Sequence, residues 1–567
     1  MVAAAVPTAR WVIPNLLAAA LIAAVALTLI VSTSVKPSPP PPLDLLLISS
    51  SSSSSSSAPP PQQNRMSIYE PPPAETTTNW ISAPPTSNFT STLLSRWLAP
   101  GGEPCRDSLT SAISFAPPLA ARSSGILRLS AGAAHEFSFQ AVDELGGSRC
   151  LGGDYFEADL SGDSWKSRPP LVDHGNGSYS FKLQVHPDFS GAYTLTLVLL
   201  FRHFQGLKFS PERFRFRKEL ARLTVSFHRD DNVGPLPPLD TCGNSSFRSH
   251  DSWSGRWTRH GSNPGCAVDD DGRYRCLPPD FPCRRPWCSG PLGSLESNGW
   301  VYSAHCSFRI LAPCSAWECL AGKWLFFWGD SNHVDTIRNM LNFALGLTGV
   351  ASVPRRFDRV FANPRNGSQS VRITSVYNGH WNDTQNYLGL ESLRSGYFRG
   401  LLWKYFADDK EERVPDVVIL NSGLHDGVHW RSVRAFARGA EYAAGFWEEV
   451  VAHVRRRRGA AAVPRMFYRT TIATGGYARD LAFNPSKMEA FNGVLLEKLK
   501  EKGLLVTGGV VDEFDMTFPW HYDNRCNDGV HYGRAPAKAR WRDGEVGHQY
   551  FVDLMLVHVL LNAVCNE

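Results

Sequence analysis

The sequence lacks a strong charge of either sign and lacks any Cys-x-x-Cys pair, and each absence disfavours a class of protein. Its 58 basic and 53 acidic residues leave a net charge of +5 over 567 residues, which does not indicate nucleic-acid binding. The one dense basic run, at residues 455–458, follows an amphipathic stretch and is typical of a solvated helix end. Without a Cys-x-x-Cys pair, structural zinc is disfavoured, and we expect no bound metal.

The twelve cysteines fall into groups with even numbers of members. Two lie in the N-terminal third (Cys105 and Cys150), eight lie between residues 242 and 319, and two lie near the end (Cys526 and Cys565). Each region can pair internally, so we expect disulfides that form in an oxidising compartment. Which cysteines pair is not deducible from their spacing.

One long apolar run lies near the N-terminus. Residues 12–31 are apolar with three exceptions, and this length spans a bilayer and exceeds the core of a typical signal peptide. We therefore predict a cytoplasmic tail (1–10) followed by a transmembrane signal anchor (11–31). Residues 32–100 are rich in proline and serine, which predicts an extended, disordered stem.

Five Asn-x-Ser/Thr sequons follow the apolar run, at Asn88, Asn176, Asn244, Asn366 and Asn382. Together with the cysteines, these glycosylation sites predict that the long C-terminal part lies in the lumen of the secretory pathway. We therefore expect a single-pass type II protein of the Golgi membrane, with the cell surface as the alternative location.

Residues 105–232 show the period-two alternation of half-buried strands. Tyr179, Phe181 and Leu183 alternate with polar residues, and further strands are predicted at residues 193–201 and 223–227. Short strands at this spacing predict a β-sandwich. Its role is either that of a spacer, which we favour, or that of a carbohydrate- or partner-binding module.

Residues 240–567 begin with a Cys-, Trp- and Gly-rich segment, in which we expect little regular structure. Strands and helices then alternate. Strands are predicted at residues 324–328, 416–420, 466–471 and 504–511, and helices directly after residue 331 and at residues 436–454, 488–500 and 548–562. This alternation predicts an α/β domain whose parallel sheet is covered by helices on both faces.

The strand predicted at residues 324–328 ends at Gly329-Asp330-Ser331, and a helical pattern follows at once. Such a turn leaves the Ser331 hydroxyl at the carboxyl edge of the sheet, where ligands bind in open α/β folds. Ser331 is therefore either a helix cap or an activated nucleophile. The second role requires a histidine base and a group that orients this base.

Asp528 and His531 can supply both groups. They lie three residues apart in a glycine-containing loop, just before the last predicted helix. One loop then offers an imidazole to Ser331 and holds a carboxylate close enough to orient the ring. The pair carries weight because of its position near the end of a domain that contains Gly-Asp-Ser. Asp512 and Asp515, at the end of another strand, are weaker candidates for the same site.

These motifs resemble the SGNH/GDSL hydrolase superfamily, and most closely its PC-esterase branch. That branch includes plant trichome-birefringence-like polysaccharide O-acetyltransferases and animal neurexophilin-and-PC-esterase proteins. The similarity spans about residues 240–567 and includes Gly-Arg-Trp at 255–257, the run 320–331, and Asn-Ser-Gly-Leu-His at 421–425. Residues 172–195 also resemble the signature of filamin-type immunoglobulin repeats, and a three-layer SGNH-like fold after such a domain is therefore expected.

The resemblance implies a role for each site residue. Ser331 is the nucleophile, His531 is the general base, and Asp528 orients His531. The backbone N–H of Ser331 helps to form the oxyanion hole, with Gly423 or Asn421 as the other donor. The resemblance also implies a role in substrate binding for His425.

The chain departs from the plant members just after Gly-Asp-Ser. Those members usually carry an arginine there, followed by Asn-Gln, whereas this chain has Asn-His-Val-Asp at residues 332–335 and an arginine only at Arg338. No role for the family's arginine is therefore transferred. His333 is either a ligand-facing substitute or a residue of the first helical turn.

The activity that the resemblance implies is O-acyl transfer, with acetyl as the expected acyl group, to hydroxyls of a polysaccharide or glycan through an acyl-serine. The alternative is a carbohydrate esterase with the same triad. A second alternative is an inactive adhesion or lectin-like surface protein. We expect no bound cofactor, an acetyl donor as co-substrate and a membrane contact through the N-terminal helix. The sequence does not indicate an oligomeric state.

Overall fold

A computed structural model describes residues 79–83, 87–99, 105–117, 119, 125–266, 276–350, 352–378, 387–407, 412–522, 528–533 and 549–565. The predicted tail and anchor, and most of the predicted stem, lie outside this set, as do Asn382 and Cys526. Within it, no helix has the combined length and apolarity needed to cross a bilayer. All described residues belong to one compact unit, Arg65–Glu567.

After a short helix, α1 (Phe89–Trp97), the chain forms two β-sheets. Their strands are, in chain order, β1 (Thr110–Phe115), β2 (Leu127–Ser130), β3 (His135–Asp143), β4 (Tyr155–Ser161), β5 (Trp165–Ser167), β6 (Leu171–Asp173), β7 (Ser178–Leu183), β8 (Gly191–Phe201) and β9 (Arg215–His228). The smaller sheet has the order β1-β3-β7-β6, and β5, β4, β8, β9 and β2 are neighbours in the larger one. The predicted strands are confirmed as β7, β8 and a longer β9.

Aromatic side chains fill the space between these two sheets. Phe139 on β3 and Tyr179 on β7 belong to the smaller sheet, and Phe156 on β4 belongs to the larger one. The ring of Phe156 lies 5.0 Å from that of Phe139 and 4.8 Å from that of Tyr179, in edge-to-face contacts. The sheets therefore pack as the two layers of a sandwich.

The Cys-rich segment contains only short elements. After α2 (Asn244–Ser249) it contains β10 (Arg256–Arg259), β11 (Cys288–Ser289), β12 (Trp300–Ser303) and β13 (Phe308–Arg309). Strands β10 and β12 extend the larger sheet, because β10 pairs antiparallel with β5. These strands have only two to four residues, which agrees with the expectation of little regular structure and explains why no period predicted them.

Disulfides connect distant parts of the chain. The described pairs are Cys105–Cys150, Cys242–Cys306, Cys266–Cys276, Cys283–Cys288 and Cys319–Cys565. The expectation that each region pairs internally is confirmed for four pairs and is wrong for the last. Cys319 and Cys565 are 246 residues apart, and each lies at or near the end of a helix. Spacing along the chain does not reveal which helix ends meet in the fold.

The remaining chain forms one α/β domain. Its elements are, in chain order, α3 (Pro313–Leu320), β14 (Trp324–Gly329), α4 (Ser331–Asn339), β15 (Phe357–Asn363), β16 (Asn366–Tyr377), α5 (Gly396–Ala407), β17 (Val417–Leu420), α6 (Leu424–His429), α7 (Val433–Arg458), β18 (Arg465–Arg469), α8 (Pro485–Glu501), β19 (Gly509–Val511), α9 (Glu513–Thr517) and α10 (Tyr550–Cys565). The sheet order is β15-β16-β14-β17-β18-β19. Neighbouring strands are parallel except β15 and β16, an edge hairpin that the sequence patterns did not predict.

Alternate residues of the central strand β14 contact helices on opposite faces of the sheet. Phe326 packs on Phe406 of α5, with 5.2 Å between ring centroids, and Trp328 packs on Trp447 of α7 at 5.7 Å. Phe327, which points to the other face, packs on a histidine of α4. Helices on both faces explain why all six residues of β14 are buried, and the predicted three-layer arrangement is confirmed.

Candidate active site

The turn from β14 into α4 explains each residue of Gly-Asp-Ser. A Cβ at Gly329 would lie 2.4 Å from the His333 ring, so only glycine fits beneath that ring. Asp330 caps the helix, because its carboxylate accepts a hydrogen bond of 2.9 Å from the backbone N–H of Asn332. Ser331 is the first residue of α4, where backbone N–H groups have no acceptor within the helix.

Ser331, His531 and Asp528 form one chain of hydrogen bonds. Ser331 Oγ lies 2.7 Å from His531 Nε2, and His531 Nδ1 lies 2.8 Å from Asp528 Oδ2. When Nδ1 donates to the carboxylate, Nε2 is left to accept the serine proton. The structure therefore brings together the three residues that the motifs predicted, although 197 to 200 positions separate Ser331 from the other two.

The Asp528 carboxylate is fixed by its own loop. Its Oδ1 accepts hydrogen bonds from the backbone N–H groups of Val530, at 2.9 Å, and His531, at 2.7 Å. Gly529 between them has a φ of +95°, a conformation that favours glycine. The carbonyl of Gly529 accepts a hydrogen bond of 2.8 Å from Gly475, which ties the loop to the segment after β18.

A cavity of about 540 Å³ opens beside the serine and the histidine. Residues from several elements line it, including Asp335, Arg338, Arg355, Tyr377, Tyr387, His425 and Tyr477. Asp335 and Arg338 follow Ser331 on α4 at spacings of four and seven residues, which place them on one helix face. The helical spacing could therefore have predicted both residues as neighbours of Ser331, but the comparison of motifs did not use it. Asp335 Oδ2 lies 3.9 Å from His531 Nε2.

His425, for which the resemblance implied a role in substrate binding, lines the cavity. Its Nε2 lies 3.0 Å from the hydroxyl of Tyr377, and its Nδ1 has no hydrogen-bond partner among the described residues. Burial lowers the pKa of His425, an effect that the charge of Asp330 opposes and that of Arg355 reinforces. Burial thus favours the neutral form of this ring, whose Nδ1 is itself buried.

The two expected oxyanion donors differ in position. The Asn421 amide donates to the carbonyl of Arg469 at 3.1 Å, across strands β17 and β18, and Asn421 does not line the cavity. This corrects the expectation for Asn421, because its side chain is used inside the sheet. Gly423 precedes α6, and a Cβ there would lie 2.0 Å from Thr471 Oγ1. The next residue, Leu424, lines the cavity, so Gly423 stays a candidate donor.

The weaker candidates lie elsewhere. Asp512 accepts a hydrogen bond of 2.9 Å from the backbone of Trp253, and Asp515 accepts one of 2.7 Å from that of Gly255. Both carboxylates thus hold the Cys-rich segment against α9 and do not line the cavity beside Ser331. His333 is a core residue, with its ring 5.4 Å from that of Phe327.

The β-sandwich contacts the segment that is hydrogen-bonded to the loop of residues 528–531. Glu157 on β4 is fully buried and pairs with Arg479 and with His521, whose Nε2 lies 2.7 Å from the carboxylate. Burial alone raises the pKa of Glu157, but Arg479 and His521 together lower it to about 2. The carbonyl of His521 accepts a hydrogen bond of 2.9 Å from Gly476, which follows the glycine that is bonded to Gly529 in the loop of residues 528–531.

The sequons occupy different environments. Asn88, Asn176 and Asn366 are exposed, as glycosylation requires. Asn244 is half-buried, and its amide oxygen accepts a hydrogen bond of 2.7 Å from Arg465. Within the described residues, no group of three or more His, Cys, Asp or Glu side chains is arranged to hold a metal ion.

Comparisons with known proteins give weak similarities only. No protein-family model matches the chain, and no curated protein matches it. Among solved structures, the chain is similar to Axe2, an acetylxylan esterase from Geobacillus stearothermophilus, with 13% identity and a TM-score of 0.24 over 44% of this chain and 96% of that one. A catalytic mutant of Axe2 gives 12% identity and a TM-score of 0.25 over the same shares. The function proposed for this chain therefore rests on the geometry of its own residues.

Proposed function

We propose that this chain is a serine-dependent acyl-transfer enzyme of the SGNH type. In its favoured form it is an O-acyltransferase that moves an acyl group, most simply acetyl, to a hydroxyl of a polysaccharide or glycan. The observation that carries the proposal is the hydrogen-bonded chain from Asp528 through His531 to Ser331, which opens onto a cavity. A serine that only caps its helix needs no imidazole at 2.7 Å.

The geometry supports a two-step reaction. In the first step Ser331 Oγ attacks the acyl carbonyl, its proton passes to His531 Nε2, and the leaving group departs with that proton. In the second step His531 takes a proton from the sugar hydroxyl, whose oxygen attacks the acyl-serine and releases Ser331 with its proton restored. The backbone N–H of Ser331, with Gly423 as the candidate second donor, stabilises the negative charge on the carbonyl oxygen; losing one such donor typically costs about 10²- to 10³-fold in rate.

A carbohydrate esterase is the second candidate function, because both activities share the acyl-serine. The observation in its favour is that two of the tyrosines that line the cavity, Tyr387 and Tyr477, are 44% and 36% exposed. The cavity therefore reaches solvent, and water can enter and replace the sugar hydroxyl.

We also propose the cellular setting that the sequence patterns predict. The catalytic domain would belong to the PC-esterase branch and follow a filamin-type sandwich, with an N-terminal anchor that holds both in the lumen of the Golgi. Five disulfides among the described residues support an oxidising compartment.

The test compares the full-length protein with Ser331→Ala and with Ser315→Ala, which changes an exposed serine on α3. Cleavage of an aryl acetate is measured with and without an oligosaccharide acceptor, and the products are separated as acetate and acetylated sugar. We expect Ser331→Ala to lose at least about 10³-fold in kcat while Ser315→Ala keeps the wild-type rate. A folded Ser331→Ala protein with full activity contradicts the proposal. Faster discharge to water than to any sugar selects the esterase.

A further inference from the structure

The cavity beside Ser331 carries two arginines that the proposed reaction does not use. We infer that this cavity binds an anionic group, and that the acceptor is an acidic saccharide whose carboxylate contacts Arg338 and Arg355. The inference rests on the proposed function and names the class of its substrate. Among the residues that the structure describes, neither guanidinium has an ion-pair partner, although both line the cavity and are half-buried.

Arg338 shares its helix with the nucleophile. It lies seven residues after Ser331 on α4, two turns along the same face, and it lines the same cavity. Asp335 lies between them on that face, but its carboxylate is 3.9 Å from His531 Nε2. The negative charge of Asp335 thus lies beside His531, at the end of the cavity that holds Ser331.

Arg355 approaches from the segment before β15 and is held over an aromatic ring. Its guanidinium carbon lies 4.8 Å from the centre of the Tyr377 ring, a cation–π contact that fixes its position. The hydroxyl of Tyr377 is in turn 3.0 Å from His425. Since Arg355 also contributes to lowering the pKa of His425, after the larger effect of burial, its positive charge acts on this side of the cavity.

Two partly desolvated guanidiniums on one cavity favour a ligand that brings negative charge. Arginine presents a planar set of N–H donors that matches a carboxylate or phosphate, and such charge-assisted hydrogen bonds are stronger than neutral ones. The exposed rings of Tyr387 and Tyr477 line the same cavity and offer apolar surface for a sugar ring. An acidic sugar satisfies both features. A phosphate of the acyl donor would satisfy the arginines alone.

The test uses two matched pairs of substrates with the full-length protein. The acceptors are trigalacturonic acid and its trimethyl ester, in which methyl groups remove the three negative charges, and S-acetylpantetheine is the uncharged donor. In the second pair the donors are acetyl-CoA, which carries phosphates, and S-acetylpantetheine, which does not. Both are used with the neutral acceptor. For each pair, the ratio of kcat/KM values is compared among wild type, Arg338→Gln, Arg355→Gln and Arg456→Gln, which changes an exposed arginine at the end of α7.

We expect wild type to prefer the acidic acceptor by about 10- to 100-fold, and both cavity variants to lose most of this preference. Arg456→Gln should keep it, and Arg338→Lys, which retains the charge without the planar fork, should keep part of it. If the cavity variants instead lose a preference for acetyl-CoA over S-acetylpantetheine, the arginines bind the phosphates of the donor. That result would overturn the inference of an acidic acceptor. Unchanged ratios for both pairs would overturn the inference. These ratios are measured independently of the Ser331→Ala experiment. Full activity of Ser331→Ala would contradict the proposed function itself, whereas unchanged ratios would contradict only the inference about the substrate.

Discussion

At the residue scale, the proposed chemistry depends on the orientation of one imidazole. The Asp528 carboxylate bonds the ring of His531 with one oxygen and two backbone N–H groups with the other. The ring therefore has a fixed direction before substrate arrives, with Nε2 toward Ser331. This preorganisation makes Asp528 the most informative position after the nucleophile itself.

We predict that Asp528→Asn lowers kcat by about 10²- to 10⁴-fold, because an amide cannot hold His531 in the required tautomer with the same charge. KM should change little, since Asp528 orients the histidine and does not bind the acceptor. The measurement is steady-state kinetics on an aryl acetate, with Asp107→Asn, an exposed aspartate of the sandwich part, as the control. An Asp528→Asn enzyme within about threefold of wild type would show that another group orients the ring.

Local sequence motifs predicted the three hydrogen-bonded residues Ser331, His531 and Asp528. They did not predict which other residues line the cavity. Gly-Asp-Ser and Asp-x-x-His each carry a local signature, and strand–helix alternation places both at one sheet edge. Asn421 was misassigned, because a residue at the end of a buried strand can bond the neighbouring strand instead of facing the cavity. No pattern in the sequence predicted that Arg355 and Tyr377 line the cavity. Their contact joins the two ends of an edge hairpin, which the sequence patterns did not predict.

At the scale of elements, the sandwich makes charged contacts with the α/β domain. Strand β4 inserts the Glu157 carboxylate into the α/β domain, where Arg479 and His521 meet it. Strand β9 adds Arg215 and Arg217, which both pair with Asp480. These contacts hold the segment from Gly476 to Asp480, which lies directly beside the loop of residues 528–531.

We predict that Glu157→Gln destabilises the fold by about 3 kcal/mol at pH 7, because it leaves Arg479 buried without its counter-charge. The folded pKa of Glu157, about 2, lies below its ordinary value of 4.5, so its contribution is complete above pH 4.5 and is lost as pH falls toward 2. The difference in unfolding free energy between wild type and variant should therefore narrow across that range.

Urea unfolding at several pH values measures this difference, with Glu136→Gln on the exposed side of the sandwich as the control. Activity at pH 7 gives a second readout, since a loosened support should lower kcat more than it changes KM. A variant as stable as wild type at pH 7 would mean that the ion pair only offsets its own desolvation. No pattern in the sequence predicted this contact, because 322 residues separate Glu157 from Arg479.

At the scale of the whole molecule, one covalent link closes the α/β domain. The Cys319–Cys565 disulfide joins the end of α3, before the strand that leads to Ser331, to the end of α10, after the loop of residues 528–531. The two halves of the site are thus carried within one closed loop of chain. The fold class, the sandwich and the alternation of strands and helices were predictable from periodicity. The closing disulfide and the shared larger sheet were not, since both depend on how distant elements meet.

We predict that the double variant Cys319→Ser, Cys565→Ser loses about 2–5 kcal/mol of stability, because removing a cross-link over a long loop increases the freedom of the unfolded chain. Denaturant unfolding without reductant measures the loss. Cys314→Ser is the matched control, since Cys314 is exposed and is unpaired among the described residues. Equal midpoints for the double variant and the control would show that packing of α10 suffices without the disulfide.

The most direct test of the central claim is to trap the acyl-enzyme. The full-length protein is mixed with an aryl acetate and quenched in acid within milliseconds, and its peptides are examined by mass spectrometry. We predict one acetylated peptide that contains Ser331, absent from Ser331→Ala and discharged when oligosaccharide is added before the quench. Acetylation at any other residue, with Ser331 unmodified during turnover, would contradict the account.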